Sequence, residues 1–224
     1  MVLSRSSGRR RSRRGEQQAG PWPVDVSADG RVAGVDEAGR GSLAGPVVAA
    51  AVILPRDLVI PGLADSKLLS PRVRAALADV IRAVALSHAV AAVEAPEIDA
   101  TNILRATLRA MAQAVEGLRP PPDLVLVDGN VLPPLPVRAQ AIVRGDQSVP
   151  AISAASILAK VTRDAIMDTW GIRFPAYGFA QHKGYGTAAH RAMIARYGPC
   201  PIHRRSFAGV REHTGDPRRQ GSLW

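Results

Sequence analysis

The chain is poor in the things that staple, anchor or export a protein. It has one cysteine, Cys200, in 224 residues. No intrachain disulfide is possible, and no cysteine metal cluster either. No apolar run reaches the roughly 20 residues needed to span a bilayer. The basic N-terminus is not followed by an apolar stretch, so no secretory signal is expected. No internal repeat is visible, and His and Cys nowhere fall at zinc-binding spacing. These absences leave a cytoplasmic setting as the expectation, with no membrane partner.

Acid is also scarce. Nineteen Asp and Glu stand against 29 Lys and Arg, a net charge of +10. The excess sits at the ends. Residues 1–20 carry six arginines and one glutamate, and residues 204–224 carry five arginines against Glu212 and Asp216. The body between is near neutral. Basic ends point to a polyanion partner, with solvated tails as the alternative. The first 20 residues offer almost nothing to bury and read as disordered; residues 21–30 are a lead-in. The remaining composition is 46% hydrophobic, enough for one large domain with its own core.

The few acids are placed with purpose. Arg31 to Leu54 reads RVAGVDEAGRGSLAGPVVAAAVIL. The pattern predicts a strand, an acidic turn at Asp36-Glu37, and a second strand from Val47 to Leu54. Acids that end a fully apolar strand are costly unless paired or bound to metal. Further on, Asp123–Asp128 (DLVLVD) is a short buried strand ending in acid, and Val137–Val143 is another, with Arg144-Gly145-Asp146 at its exit. Three strands running into carboxylates at one sheet edge would make a site. Such acids repel unless cations hold them, and oxygen-only ligands favour Mg²⁺ or Mn²⁺. Taken singly, Asp128 and Asp146 read as helix caps or loop residues; taken together with Asp36-Glu37 they do not.

Elsewhere helices alternate with strands. Ser70 caps a helix that begins at Pro71, with Val73, Leu77, Val80, Ile81 and Val84 at helical spacing. His88–Val93 reads as a strand. Pro96 opens a helix with the stripe Ile103, Leu104, Leu108, Met111 and Val115, closed by Gly117. Ser153 to about Trp170 is a long helix, Phe174–Gly186 an aromatic and glycine loop, and Thr187 caps a last helix closed by Gly198. The fold class predicted is α/β with a mixed central sheet flanked by helices, because the first two strands form a hairpin.

The segment GVDEAGRGSLAGPVVAAAVIL resembles the signature of ribonuclease HII, the type 2 ribonuclease H family. The resemblance extends from about Arg31 to Val210. It implies a ribonuclease H-like domain over residues 31–210 with a small helical C-terminal part, and a flexible tail over 211–224. It implies that Asp36, Glu37 and Asp128 hold Mn²⁺ or Mg²⁺, with Asp146 completing the catalytic set and Asp164 as an alternative fourth acid. Gly39, Arg40, Gly41, Lys183 and Tyr185 would then contact substrate, with Tyr185 near the deoxyribose after a ribonucleotide. Lys160 and Arg163 could meet phosphates, while Ser153 and Ser156 read as packing. His203–Phe207 reads as a basic contact or a docking turn. The activity implied is hydrolysis of the RNA strand of RNA–DNA hybrids and cleavage 5′ to single ribonucleotides in duplex DNA, by a monomer. A metal nuclease acting on DNA, or a catalytically silent nucleic-acid-binding protein, are the rivals.

Overall fold

The computed structural model describes residues 30–63 and 69–215. The tail readings for residues 1–29 and 216–224, and the reading of Ala64–Lys67, lie outside the described residues.

The second half of the acidic segment forms the centre of the sheet. Strand β2 (Val47–Ile53, VVAAAVI) is buried along its whole length. Its β-branched ends suit a pleated surface, and its central alanines let helices approach from both sides. Odd positions Val47, Ala49, Ala51 and Ile53 join one core cluster, while Ala50 and Val52 join another, as period-two alternation requires. Strand β1 (Val32–Ala38) pairs antiparallel with β2. On the other side of β2 lies antiparallel β3 (Ser87–Val93), while β4 (Leu124–Asp128) and β5 (Ala139–Ile142) add in parallel beyond β1. The order is β3-β2-β1-β4-β5, a mixed five-stranded sheet.

Helix α1 (Pro71–Val84) starts where its cap directs, with the Ser70 hydroxyl accepting from the Val73 amide. Only one edge of its apolar stripe is buried: Leu77 and Ile81 face the core, whereas Val73 and Val80 are half exposed. The helix expected from Pro96 to Gly117 is two, α2 (Ala95–Ala100) and α3 (Ile103–Glu116). Asn102 breaks it, its side chain accepting from the Arg105 amide as a new N-cap. Helix α3 covers one face of the sheet.

The other face belongs to α5 (Pro150–Arg173), which follows the single turn α4 (Gly145–Ser148). It begins three residues before Ser153 because Pro150 occupies the first helical turn, where a missing N–H costs nothing. Its approach to β1 is set by Gly34. A Cβ there would lie 2.1 Å from the Ala151 carbonyl carbon and 2.2 Å from the Ile152 nitrogen. The C-terminal part is a 3-10 turn (Pro175–Tyr177), α6 (Phe179–His182) and α7 (Ala188–Tyr197), gathered around Tyr177, Phe179, Cys200 and Ile202. The Phe174–Gly186 segment is therefore partly helical. Beyond Val210 the chain makes one more 3-10 turn, Arg211–His213. No described helix is long and apolar enough to cross a membrane.

Candidate active site

The acids sit in strand rather than turn. Strand β1 continues through Asp36 and Glu37 to Ala38, so both carboxylates are held by sheet backbone. Val35 is in register with Val127 on the parallel neighbour β4. One step further along the same register, Asp36 lies beside Asp128. Both follow a residue packed against α3, so alternation aims both at the face covered by α5.

Asp36 is the buried member, 6% exposed. Its Oδ1 accepts from the Glu37 amide at 2.7 Å, and the Ser156 hydroxyl of α5 bonds to its carboxylate. Burial, then the charge of Glu37, raise its carboxyl well above the ordinary range; the Ser156 bond pulls the other way, and Asp128 adds to the rise. Glu37 is raised too, chiefly by burial, with Arg40 opposing and Asp128 contributing upward. The three carboxylates therefore feel one another.

Asp128 is anchored from the far side. Its Oδ1 accepts from the Gly145 amide at 2.7 Å, and the Asp146 amide lies 3.4 Å away. That brings α4 and its acid to the end of β4. Asp146 is 2% exposed, and the Ser153 hydroxyl donates to its carbonyl at 2.5 Å. The tight entry to α4 puts Arg144 in the left-handed region at φ 57°, an uncommon conformation for a residue with a Cβ. Strand β5 accordingly stops at Ile142, leaving Val143 exposed.

As placed, three of the acids face protein donors: Asp36 the Glu37 amide at 2.7 Å, Glu37 the Arg40 guanidinium at 3.4 Å, and Asp128 the Gly145 amide at 2.7 Å. Among the described residues no three His, Cys, Asp or Glu side chains converge tightly enough to hold an ion as they stand. The donor chemistry nevertheless fits a hard divalent cation. It is all oxygen, and burial and neighbouring negative charge already disfavour the charged forms of Asp36 and Glu37.

A cleft of about 430 Å³ opens beside Glu37. Its walls include Arg40 and Gly41 of the loop after β1, Ser156 and Lys160 of α5, Arg74 of α1, and Tyr185. The loop is clamped from beneath by two arginines that are wholly buried, Arg163 and Arg204. Arg204 donates to the carbonyls of Gly45 at 3.0 Å, Arg40 at 2.9 Å and Gly39 at 2.7 Å. Arg163 donates to Pro46 at 3.0 Å, Lys183 at 3.0 Å and Ala44 at 3.1 Å. Gly39, at φ +97°, is needed there twice over, since a Cβ would sit 2.0 Å from the Arg163 Nε. Burial and the neighbouring Arg163 charge push the Arg204 guanidinium down to about 9, still cationic at neutral pH.

These placements correct two readings of the basic residues. Arg163 cannot meet a phosphate, because its fork is spent on buried carbonyls. Arg204 is no basic contact; the Asp99 carboxylate fastens the His203–Phe207 segment as a docking turn by accepting from the amides of Arg205 and Ser206 at 2.7 and 2.9 Å, with the Arg205 side chain exposed. Lys183 is tied to Asp168 in a close ion pair and does not line the cleft. Asp164 is paired with Lys160 at 2.7 Å, one helical turn away. Tyr185 is 39% exposed, with Lys160 and Arg163 5.6 and 5.4 Å from its ring centre. Sequence reasoning missed Arg74. Its signal was only a helical position one turn beyond the Ser70 cap. Ser156 proves to touch Asp36 rather than merely to pack.

A mixed sheet with acids at the ends of adjacent parallel strands, under a long helix, is the framework of ribonuclease H-like enzymes. The ribonuclease H2 of Pyrococcus horikoshii OT3 superposes with a TM-score of 0.69 at 28% identity, over 81% of this chain and 96% of that one. A ribonuclease HIII, solved in complex with Mn²⁺, shares the fold at TM-score 0.64 and 18% identity, over 82% of this chain and 68% of its own. More particularly, the ribonuclease HII family model matches residues 33–210. The ribonuclease HII of Syntrophotalea carbinolica is 55% identical over 82% of this chain and 88% of its own. That of Verminephrobacter eiseniae is 59% identical over 89% and 93%. The chain belongs to the ribonuclease HII family and is a ribonuclease H endonuclease.

Proposed function

We propose that the chain cuts the RNA strand of RNA–DNA hybrids, and duplex DNA on the 5′ side of a single embedded ribonucleotide, using divalent cations held by Asp36, Glu37 and Asp128 with Asp146 completing the site. One observation carries this reading: Asp36 and Asp128 follow directly on the paired Val35 and Val127 of parallel strands and feel each other's charge, and the cleft beside Glu37 holds both the Arg40-Gly41 loop and Tyr185. Water adds to the phosphorus and the P–O3′ bond breaks. The products are a 3′-hydroxyl, which takes up a proton, and a 5′-phosphate on the ribonucleotide.

Bound Mg²⁺ or Mn²⁺ would supply Lewis-acid stabilisation of the phosphoryl oxygens and a water of lowered pKa. The residues do the rest. Ser156 holds the Asp36 carboxylate on the α5 side of the sheet, and the Gly145 amide orients Asp128. The loop clamped by Arg163 and Arg204 offers backbone groups and the half-exposed Arg40 fork to the 2′-hydroxyl, which both donates and accepts. Tyr185 gives a flat surface to the deoxyribose that follows, and Lys160 and Arg74 meet the phosphate backbone. One copy carries the whole proposed set, so a monomer suffices. The lone cysteine is buried and free, which suits a reducing, cytoplasmic setting.

The test is a duplex with one ribonucleotide beside its all-DNA twin, each with Mg²⁺, Mn²⁺ or a chelator. Metal-dependent cleavage 5′ to the ribonucleotide alone is expected. Equal cutting of the twin would make the enzyme a general DNA nuclease and overturn the reading.

A further inference from the structure

Behind Tyr185 lies a set of buried polar side chains that the carboxylate chemistry does not use. His190 and His203 are 0% and 1% exposed. His190 lies in the first turn of α7, and His203 belongs to the docking turn after Cys200. Their ring nitrogens face each other, Nε2 to Nε2, at 3.0 Å.

The neighbours settle which nitrogen carries each proton. The Cys200 amide donates to His203 Nδ1 at 2.9 Å, and the Cys200 thiol, kept protonated by burial, lies 3.1 Å from the same nitrogen; a hydrogen already pointing at Nδ1 requires its lone pair there. A neutral imidazole with an accepting Nδ1 is protonated at Nε2. His203 Nε2–H therefore donates to His190 Nε2. His190 must then carry its proton on Nδ1, and that N–H donates to the Tyr185 carbonyl at 2.9 Å. Both rings are neutral: burial, more than any neighbouring charge, pushes His190 down to about 4 and His203 to about 3. A third histidine fits the same pattern. His182 donates from Nε2 to the Tyr177 carbonyl at 2.7 Å, accepts from the Gly184 amide at 3.2 Å, and stacks on His190 with ring centres 4.3 Å apart. Among the described residues none of these is grouped for metal binding.

The relay ends on the backbone of the residue that meets the cleft. The Tyr185 carbonyl accepts from His190 and, at 2.8 Å, from the Thr187 amide, while its own amide donates to the His182 carbonyl at 2.9 Å. The flanking backbone is held from other sides, the Gly184 carbonyl accepting from the Leu43 amide at 2.8 Å and the Gly186 carbonyl from Arg191 Nε at 3.1 Å, so the His190 bond is what ties the Tyr185 carbonyl itself to the C-terminal part. We infer that the Cys200–His203–His190 relay positions Tyr185 for reading the ribonucleotide–deoxyribonucleotide junction. His190 and His203 are positioning residues, and the C-terminal part is thereby a specificity element. The inference rests on the proposed role of Tyr185.

The experiment reads the ratio of kcat/KM on the one-ribonucleotide duplex to kcat/KM on an all-RNA hybrid. The full chain is compared with His190→Leu, His190→Asn, Tyr185→Ala and the Leu/Ala double variant. Loss of one aromatic contact to nucleic acid lowers affinity about tenfold, so His190→Leu and Tyr185→Ala should each lower the ratio by about that factor, with no further fall in the double variant. His190→Asn keeps an amide donor where Nδ1–H stood and should restore most of the ratio. A normal ratio in His190→Leu, with a lowered one in Tyr185→Ala, overturns the relay. A normal ratio in Tyr185→Ala overturns the reading of Tyr185 and the relay's function with it. Nitrogen-15 NMR of the unmutated protein decides independently of whether the variants fold. His190 protonated at Nδ1 and His203 at Nε2 are expected, and either opposite tautomer sinks the inference.

Discussion

Replacing Arg204 by methionine probes how the substrate-facing loop is held. The guanidinium is wholly buried and donates to three carbonyls, those of Gly39, Arg40 and Gly45. Methionine fills similar space but brings no donor. Each buried carbonyl left without a donor costs about 1–3 kcal/mol, a gross loss of about 3–9 kcal/mol. Against this, a charge no longer has to be kept out of water, which returns several kcal/mol, and its repulsion with Arg163 disappears. The net destabilisation is about 2–4 kcal/mol. For a domain of this size that lowers Tm by about 5–15 °C. The freed loop carries Arg40 and Gly41, whereas Asp36 and Asp128 stay fixed by the sheet. KM for the one-ribonucleotide duplex should therefore rise about tenfold with a smaller change in kcat, a shift of about 1.4 kcal/mol. Arg204→Lys keeps the charge but not the fork and should fall between. Thermal unfolding and steady-state kinetics give both numbers. A methionine variant within about 0.5 kcal/mol of the native protein, with unchanged KM, would refute the clamp.

Asp128→Asn should abolish cleavage, by about a thousandfold or more, while binding of hybrid measured by fluorescence anisotropy persists; residual activity near native would remove Asp128 from the site. Gly34→Ala should cost about 3 kcal/mol or more in urea unfolding, because its Cβ meets rigid backbone of α5 at 2.1 Å. Stability should also fall as pH is lowered below the ordinary histidine value of 6.5. Above that value His190 and His203 are neutral in both states. Below it the unfolded chain takes protons that the folded rings refuse, at about 1.4 kcal/mol per pH unit for each, flattening near 4 for His190 and near 3 for His203. Denaturation at stepped pH checks this, and the slope should shrink in His203→Gln.

Local features of this molecule were legible, and so was the mixed sheet; most other long-range contacts were not. The hairpin of β1 and β2, the Ser70 and Thr187 caps, and the strand ending at Asp128 all follow from periodicity and capping. The break at Asn102 was readable as well, since asparagine is a strong N-cap, but the apolar stripe hid it. Val73 and Val80 show the limit of spacing: α1 buries a narrower edge than its pattern allows. Arg163 and Arg204 look like surface charge in one dimension, because arginine is rarely buried. Only the fold shows that each cradles carbonyls more than a hundred residues away in sequence. The histidine relay likewise joins α7 to a later turn, and no short motif announces it.

The central claim is that Asp36, Glu37 and Asp128 hold divalent cations. Calorimetric titration of Mn²⁺ into the native protein, Asp36→Asn and Asp128→Asn tests it most directly. The expected result is saturable binding by the native protein and affinity lost in both variants, with their fold intact by circular dichroism. Native-like binding in both variants would place the metal elsewhere and contradict the claim.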